Sequence, residues 1–374
     1  MSSLSLTFTR SEGAWLGGAV SAALVAGALT AAAAPPIARF VTAAVALALL
    51  ARAVGTATEQ LGERLSAGAT GVLQGAFGNL PELFVSLFSL KAGLRDVVRA
   101  ALVGSILANA VLVLGLALLV GGLKHGTQRF DSQPPRTAAT LMLLAVTALA
   151  VPTLADTLHT PAQPHEAALS ATCAVVLLVV FAASLRFTLA ADPAVLPPTP
   201  DRRDDFEGVV ATSATTAGAP HGWSVRQSVG VLAAAGLGAA LVSDWFVDAL
   251  LPATRSLGLS QTFTGLVVVA IAGNAVENAV GISLAAKNKP DYALSVVLNS
   301  ALQVALALTP ILVLVSFFIG PAPMTLVLPP ILLAALTLGA LVAAFVVYDG
   351  ESIWLEGVAL IGLYVMFAAA VWWG

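Results

Sequence analysis

Eleven apolar stretches, each at or near the length that crosses a bilayer, divide this chain: 14–32, 36–58, 69–90, 97–121, 137–156, 167–190, 224–251, 261–286, 291–318, 325–347 and 352–373. A spanning helix takes about 20 mostly apolar residues. In lipid the backbone must satisfy its own hydrogen bonds, so runs of this length are restricted to helices. With 58% hydrophobic and only 10% charged residues, most of the chain has to lie in lipid, since a soluble domain carries about 25% charge. The expectation is an all-α integral membrane protein with 11 transmembrane helices. A net charge of −3 offers no basic surface for nucleic acid. The single cysteine, Cys173, excludes a disulfide within the chain and reads as a small core residue. The run from Ala14 to "TAAAAP" imitates a cleavable signal, but its length and the apolar segment that follows favour a first membrane helix. The second segment continues into "TEQLGERLSAGATG", an amphipathic extension fit to line a cavity or lie at the interface.

Placing the N-terminus in the cytoplasm puts 12 Lys and Arg residues on the inner side and 5 outside, which is the bias that sets orientation. Lys91, Arg95 and Arg99 are the outer cluster that runs against it. A multi-pass protein of the cell's inner membrane is expected. Residues 191–222 are rich in Pro, Ala, Thr and charge, too polar to bury a core. They read as an acidic cytoplasmic linker between two halves.

Those halves repeat. "GNLPELFVSLFSLKAGLRDVVRAALVGSILANAVLVLG" from Gly78 aligns without a gap on "GNAVENAVGISLAAKNKPDYALSVVLNSALQVALALTP" from Gly273, at an offset of 195. Asn79 meets Asn274, Glu82 meets Glu277, Asp96 meets Asp291 and Ser105 meets Ser300. Equivalent elements are five segments apart, an odd number, so the copies run in opposite directions across the membrane. Inverted repeats of this kind place an ion site near the midplane, at their interface. The division expected is an extra helix over 1–33, a five-helix repeat over 34–190, the linker 191–222 and a second five-helix repeat over 223–374.

Glu82 and Glu277 are the leading candidates for function. A carboxylate inside a spanning helix costs at least about 2.5 kcal/mol and needs a cation, a proton or strong hydrogen bonds. The bland alternative is a protonated glutamate locking two helices. Two carboxylates in one cavity resist joint ionisation. A divalent cation relieves the repulsion, and so do protons, so Ca²⁺ and H⁺ would exclude each other. Ca²⁺ takes about six to eight oxygens. Asn79 and Asn274 supply amide oxygens, and Gly78, Gly273 and Pro81 weaken the helices and free carbonyls. The absence of Cys and His beside the glutamates argues against Zn²⁺ or Cu. Ser105 and Asn109 share one helical face, as do Ser300 and Gln303. Asn299 neighbours the latter pair; direct or supporting contact and plain interhelical bonding are both open to these groups. Gly104 and Gly115 read as packing contacts. His125, His159, His165 and His221 fall in predicted loops. Asp244 and Asp248, four apart, read either as help in a proton path or, the favoured reading, as markers of one end of the seventh helix.

The first signature, "LQGAFGNLPELFVSLFSLKAGLRDVVRAALVGSILANAVLVLGLALLVGG" with "QRFD", resembles that of the calcium/proton exchanger family within the cation/Ca²⁺ antiporters, as do "GNAVEN", "NSALQVAL" and "DGESIWLEG" in the second half. The resemblance runs from about residue 36 to the end, apart from the linker. It implies a sodium/calcium exchanger-like fold of one extra helix plus two inverted five-helix repeats. It also implies Ca²⁺ export against proton entry, with Glu82 and Glu277 as shared ligands and proton carriers. Asn278 stands where that family's motif commonly has histidine, and it cannot titrate. The expected partners are therefore Ca²⁺, H⁺ and the bilayer, with room for a homo-oligomer and no organic cofactor. Na⁺/Ca²⁺ or Na⁺(K⁺)/H⁺ exchange on the same fold is the nearest rival, and a cation channel or sensor the next. No nucleophile–base pair in the membrane core supports an enzyme.

Overall fold

The computed structural model describes residues 9–62, 77–190 and 223–372; the side chains of residues 10, 62, 187–190, 276 and 277 are outside that description. The polar extension over 63–76 and the linker 191–222 therefore lie outside the described residues. Within them the regular secondary structure is helical, save for one two-stranded ribbon.

Helix α1 (Arg10–Ala31) opens with a capping box between Thr9 and Glu12. Then follow α2 (Pro36–Gly62), α3 (Leu80–Lys91), α4 (Arg95–His125), α5 (Gln133–Thr157) and α6 (Glu166–Ala190). The second half has α7 (Val225–Leu257), α8 (Gln261–Gly273), α9 (Ala275–Ala286), α10 (Pro290–Val315), α11 (Pro330–Val346) and α12 (Trp354–Trp372). Among the described residues eight helices are long and apolar enough to cross a membrane, or nine if α8 and α9, bent by 61°, form one broken span. The eleven expected spans would also require α3 and α11, which are shorter here.

The 195-residue offset carries into the backbone. Helix α3 maps onto α9 at both ends, and the starts of α4 and α10 correspond. Asn79 (φ −96°, ψ 19°) and Asn274 (φ −101°, ψ 16°) break the chain with nearly the same dihedrals. Both long core helices widen into a π-turn just past the matched serines, over Ala108–Val113 and Val304–Leu308. Such turns concentrate at functional sites.

Buried side chains form two main clusters. One joins α1, α2 and α7, where Phe40 stacks on Phe246 at 4.8 Å. The other joins α4, α5, α6, α10, α11 and α12. Helix α3 lies between them: Val85 belongs to the first cluster, while Leu83 and Leu87 pack against the second. Helices α4 and α8 meet backbone to backbone. A Cβ on Gly104 would lie 2.1 Å from the Leu266 carbonyl oxygen, and one on Gly265 2.6 Å from that of Val97. Gly104 is thus a packing residue. So is Gly115, where a Cβ would come within 2.9 Å of Gly357.

Several expectations need correction. The tenth segment does not begin as a helix at 325. Residues 324–328 form no helix, and Met324, Leu326 and Leu328 are buried; Pro329 has no N–H to close a helical bond onto Thr325, and α11 starts only at Pro330. Their backbone groups are satisfied from outside: the Met324, Leu326 and Leu328 amides donate to Ser316, Ser170 and Thr153 hydroxyls at 2.8, 2.9 and 2.9 Å. Arg95 and Arg99 serve the same strap, donating to the Pro323 carbonyl at 3.2 Å and the Thr325 carbonyl at 2.8 Å. That accounts for two of the three cations in the outer cluster, Arg95 and Arg99. Asp244 and Asp248 do not end a helix, since α7 continues through Pro252 to Leu257; both are exposed. His125 is no loop residue: it ends α4, with Nε2 3.0 Å from the Ala286 carbonyl. His221 lies outside the described residues.

At the end of α4 that bears His125, strand β1 (Gln128–Arg129) pairs with β2 (Glu351–Ser352). Gln128 reaches Asn288 at 3.2 Å, and the Asp131 amide donates to Asp291 at 2.7 Å. This end is called the Asp291 face below, and the opposite end, where the strap sits, the Arg99 face.

Candidate functional site

Glu82 is the third residue of α3 and is 5% exposed. Pro81 precedes it in the first turn, where a missing N–H costs nothing, just after the turn at Gly78 and Asn79. The free amides and dipole of a helix N-terminus favour a carboxylate there. Asn79-x-x-Glu82 has the spacing of a capping box, yet the Asn79 side chain makes no cap. It turns to the other half, and its Nδ2 donates to Gln303 Oε1 at 3.4 Å.

The Ser105 hydroxyl donates to Glu82 Oε1 and accepts from Asn274 Nδ2 at 2.9 Å. Asn109 Nδ2 lies 3.0 Å from Asn274 Oδ1 and 3.1 Å from Ser300 Oγ. One chain of hydrogen bonds therefore runs from Glu82 through Ser105 and Asn274 to Asn109 and Ser300, crossing between the repeats. Asn274 is 1% exposed, and Ser105 and Asn109 are 0% exposed. Fully buried amides and hydroxyls persist where they are satisfied. Asn109 Oδ1 and Asn278 Oδ1 are buried acceptors with no hydrogen-bond donor among the described residues. Gly273 adjoins the carboxylate: a Cβ there would lie 3.8 Å from Glu82 Cγ. Gly78 is half-buried beside Asn79. A small crevice at Glu82 is walled by Leu47 of α2, Phe246 of α7 and Val269 of α8, all of the first cluster, with Gly273 beside them; the bond to Ser105 ties the carboxylate to α4, whose Leu102 and Ile106 belong to the second.

Of the residues picked out from sequence, the structure brings Glu82, Ser105, Asn274, Ser300 and Asn109 into one network, and Asn79 and Gln303 into a bonded pair. Asn299 is not drawn in. It is exposed and donates to Ser295 Oγ at 3.1 Å, one turn earlier in α10. Among the described residues Asn278 Oδ1 meets no donor of the network. Glu277 is the third residue of α9, the place Glu82 holds in α3; its side chain lies outside the described residues. Among the described residues no three His, Cys, Asp or Glu side chains cluster as a metal site. The oxygens gathered here are one carboxylate, amides and hydroxyls, the hard donors that suit Ca²⁺ rather than a softer metal.

Sequence reasoning placed Asn109 beside the site but missed that it spans both repeats. The offset holds a hint: its counterpart is Val304, so the amide breaks the symmetry.

The sequence profile described as sodium/calcium exchanger protein matches residues 36–190 and 227–373. A Ca²⁺/H⁺ antiporter of Synechocystis is 37% identical over 88% of this chain and 90% of its own. A Ca²⁺/H⁺ antiporter of Aphanothece halophytica is 34% identical over 88% and 89%. The solved structure of native YfkE superposes with a TM-score of 0.79 at 29% identity, covering 96% of this chain and 99% of its own.

Proposed function

The chain belongs to the sodium/calcium exchanger family, and from that premise we propose that it exchanges Ca²⁺ for H⁺ across the membrane by alternating access. The observation that carries this reading is the buried Glu82 carboxylate, wired through Ser105 to Asn274 of the opposite repeat. Two relatives at 37% and 34% identity bear the name Ca²⁺/H⁺ antiporter, which supports the same pair of ions.

Glu82 and Glu277 are the two acids of the site. Each begins a half-helix behind an asparagine, a position where a helix N-terminus favours a carboxylate, and the Glu82 carboxylate lacks the solvation water would give. Ca²⁺ neutralises the pair in one step, and protons do so one at a time. Because either occupant satisfies the acids, the loaded protein can reorient with metal or with protons but not with neither. Asn79, Asn274, Ser105, Ser300 and Gln303, with the carbonyls around Gly78 and Gly273, complete the oxygen shell. Asn109 and Asn278 stand behind them. Asn299 is dropped from the shell because its amide turns back along α10 to Ser295 and makes no bond to the network.

The α1–α2–α7 cluster is the moving body, and the α4–α6 and α10–α12 cluster the frame. The site lies on their seam, so sliding one past the other exposes Glu82 to alternate faces. Eleven spans, an extra helix over 1–33 and repeats over 34–190 and 223–374, joined by the acidic 191–222 linker, are the architecture proposed. The Asp291 face is assigned to the cytoplasm of a cell-membrane protein from the Lys and Arg tally.

The test is a pH gradient in inverted membrane vesicles. It should drive ⁴⁵Ca²⁺ uptake in the absence of sodium and collapse with a protonophore. Undiminished uptake by Glu277→Gln would overturn the role given to that residue.

A further inference from the structure

We propose that the face of α10 bearing Asp291, Ser295, Asn299 and Gln303 is a standing polar path for the cation between the Asp291 face and the Glu82 site. The proposal rests on the exchange reading above and adds the route.

These residues recur every fourth position, which aligns them along one side of a helix. Asp291, Ser295 and Asn299 are exposed, and Gln303 is half-buried where it meets Asn79. They lie in Pro290–Val315, a helix long and apolar enough to span. Polar side chains at such depth stay where they line water or a cavity rather than lipid. Asn299 commits an amide hydrogen to Ser295 at 3.1 Å and keeps its carbonyl oxygen as an acceptor. Asp291, at the rim, is held by the Asp131 amide at 2.7 Å. Lys287 and Lys289 are exposed in the turn before it; the stripe itself carries no positive charge. A ladder of neutral oxygens behind one carboxylate lets a cation exchange its water stepwise.

The inverted repeat supplies an internal control. The same four positions in α4 are Asp96, Ala100, Gly104 and Ala108. Asp96 is exposed, and the other three are buried, with Gly104 pressed against the backbone of α8. The two ends of the molecule therefore differ. The Asp291 side has an open polar stripe, and the Arg99 side has a sealed glycine seam that must part before the site opens there.

Cysteine accessibility tests the path without requiring turnover, so a chain that failed to exchange ions would still report it. In a Cys173→Ser background, Ser295→Cys, Asn299→Cys and the mirror variant Ala100→Cys are exposed to a membrane-impermeant cationic thiosulfonate. The two α10 cysteines should react in inverted vesicles, with Ca²⁺ slowing Asn299→Cys, and Ala100→Cys should stay unmodified from either side. Reaction only in right-side-out vesicles would support the path and overturn the assigned orientation. No reaction of the α10 cysteines from either side would overturn the path, because both then face lipid. In ⁴⁵Ca²⁺ uptake Asn299→Leu should raise the KM for Ca²⁺ several-fold; an unchanged KM counts against the path.

Discussion

Asn274, at the helix break of the second repeat, donates its side-chain amide to the Ser105 hydroxyl of the first across 2.9 Å. The same hydroxyl donates onward to Glu82. The carboxylate of one repeat is thus held by the asparagine of the other, and neither half-site is complete alone.

Ser105→Ala removes that relay. Glu82 loses a donor, and Asn274 loses its acceptor in a fully buried setting. A hydrogen bond to a charged group contributes about 1.5–3 kcal/mol, so calcium affinity should weaken by one to two orders of magnitude while the protein stays folded. Binding titration of the purified variant checks this; unchanged affinity would detach Ser105 from the site.

Asn109→Leu should act on stability as well as transport. The side chain links Asn274 and Ser300 from a position with 0% exposure. Its loss strands both partners at a cost of about 1–3 kcal/mol each. A lower midpoint of thermal unfolding in detergent is expected, and Asn109→Gln should fail to restore it, being one methylene too long.

Gly104→Ala tests the seam on the Arg99 face. The new Cβ would meet the Leu266 carbonyl oxygen at 2.1 Å, and backbone cannot step aside as a side chain does. Overpacking of this kind costs about 1–3 kcal/mol. The variant should lose transport and thermal stability together, whereas Gly230→Ala on α7, with nothing within 4 Å of its added Cβ, should be silent.

Arg99→Gln should loosen the buried strap at Met324–Leu328. Arg99 holds Thr325 through both its carbonyl and its hydroxyl, each at 2.8 Å. Hydrogen exchange over residues 324–328 should quicken, with exchange in α12 unchanged as the control.

Much of this was written plainly in the chain. Repeated G-N-x-x-E motifs at one offset, a serine 26 residues beyond each asparagine and the apolar runs between them announced the repeats and the matching places of Glu82 and Glu277 in their helices. What escaped is equally specific. Hydropathy reads "MTLVLPP" as helix because it measures transfer to lipid and not whether prolines allow one. The capping-box spacing at Asn79 says nothing of the Gln303 that diverts it. Asn299 was grouped with Ser300 by sequence adjacency, yet neighbours on a helix point about 100° apart: Ser300 is buried in the network, and Asn299 lies on the exposed stripe with Ser295. The cross-repeat reach of Asn109 depends on α4 and α8 touching at Gly104 and Gly265, a contact no local pattern encodes.

The most direct measurement is the calcium dissociation constant of the purified protein as a function of pH. If metal and protons compete for Glu82 and Glu277, affinity falls as pH is lowered, the fall steepens toward acid, and Glu82→Gln flattens it. A wild-type dissociation constant that stays level across the acid range would contradict exchange at a shared site.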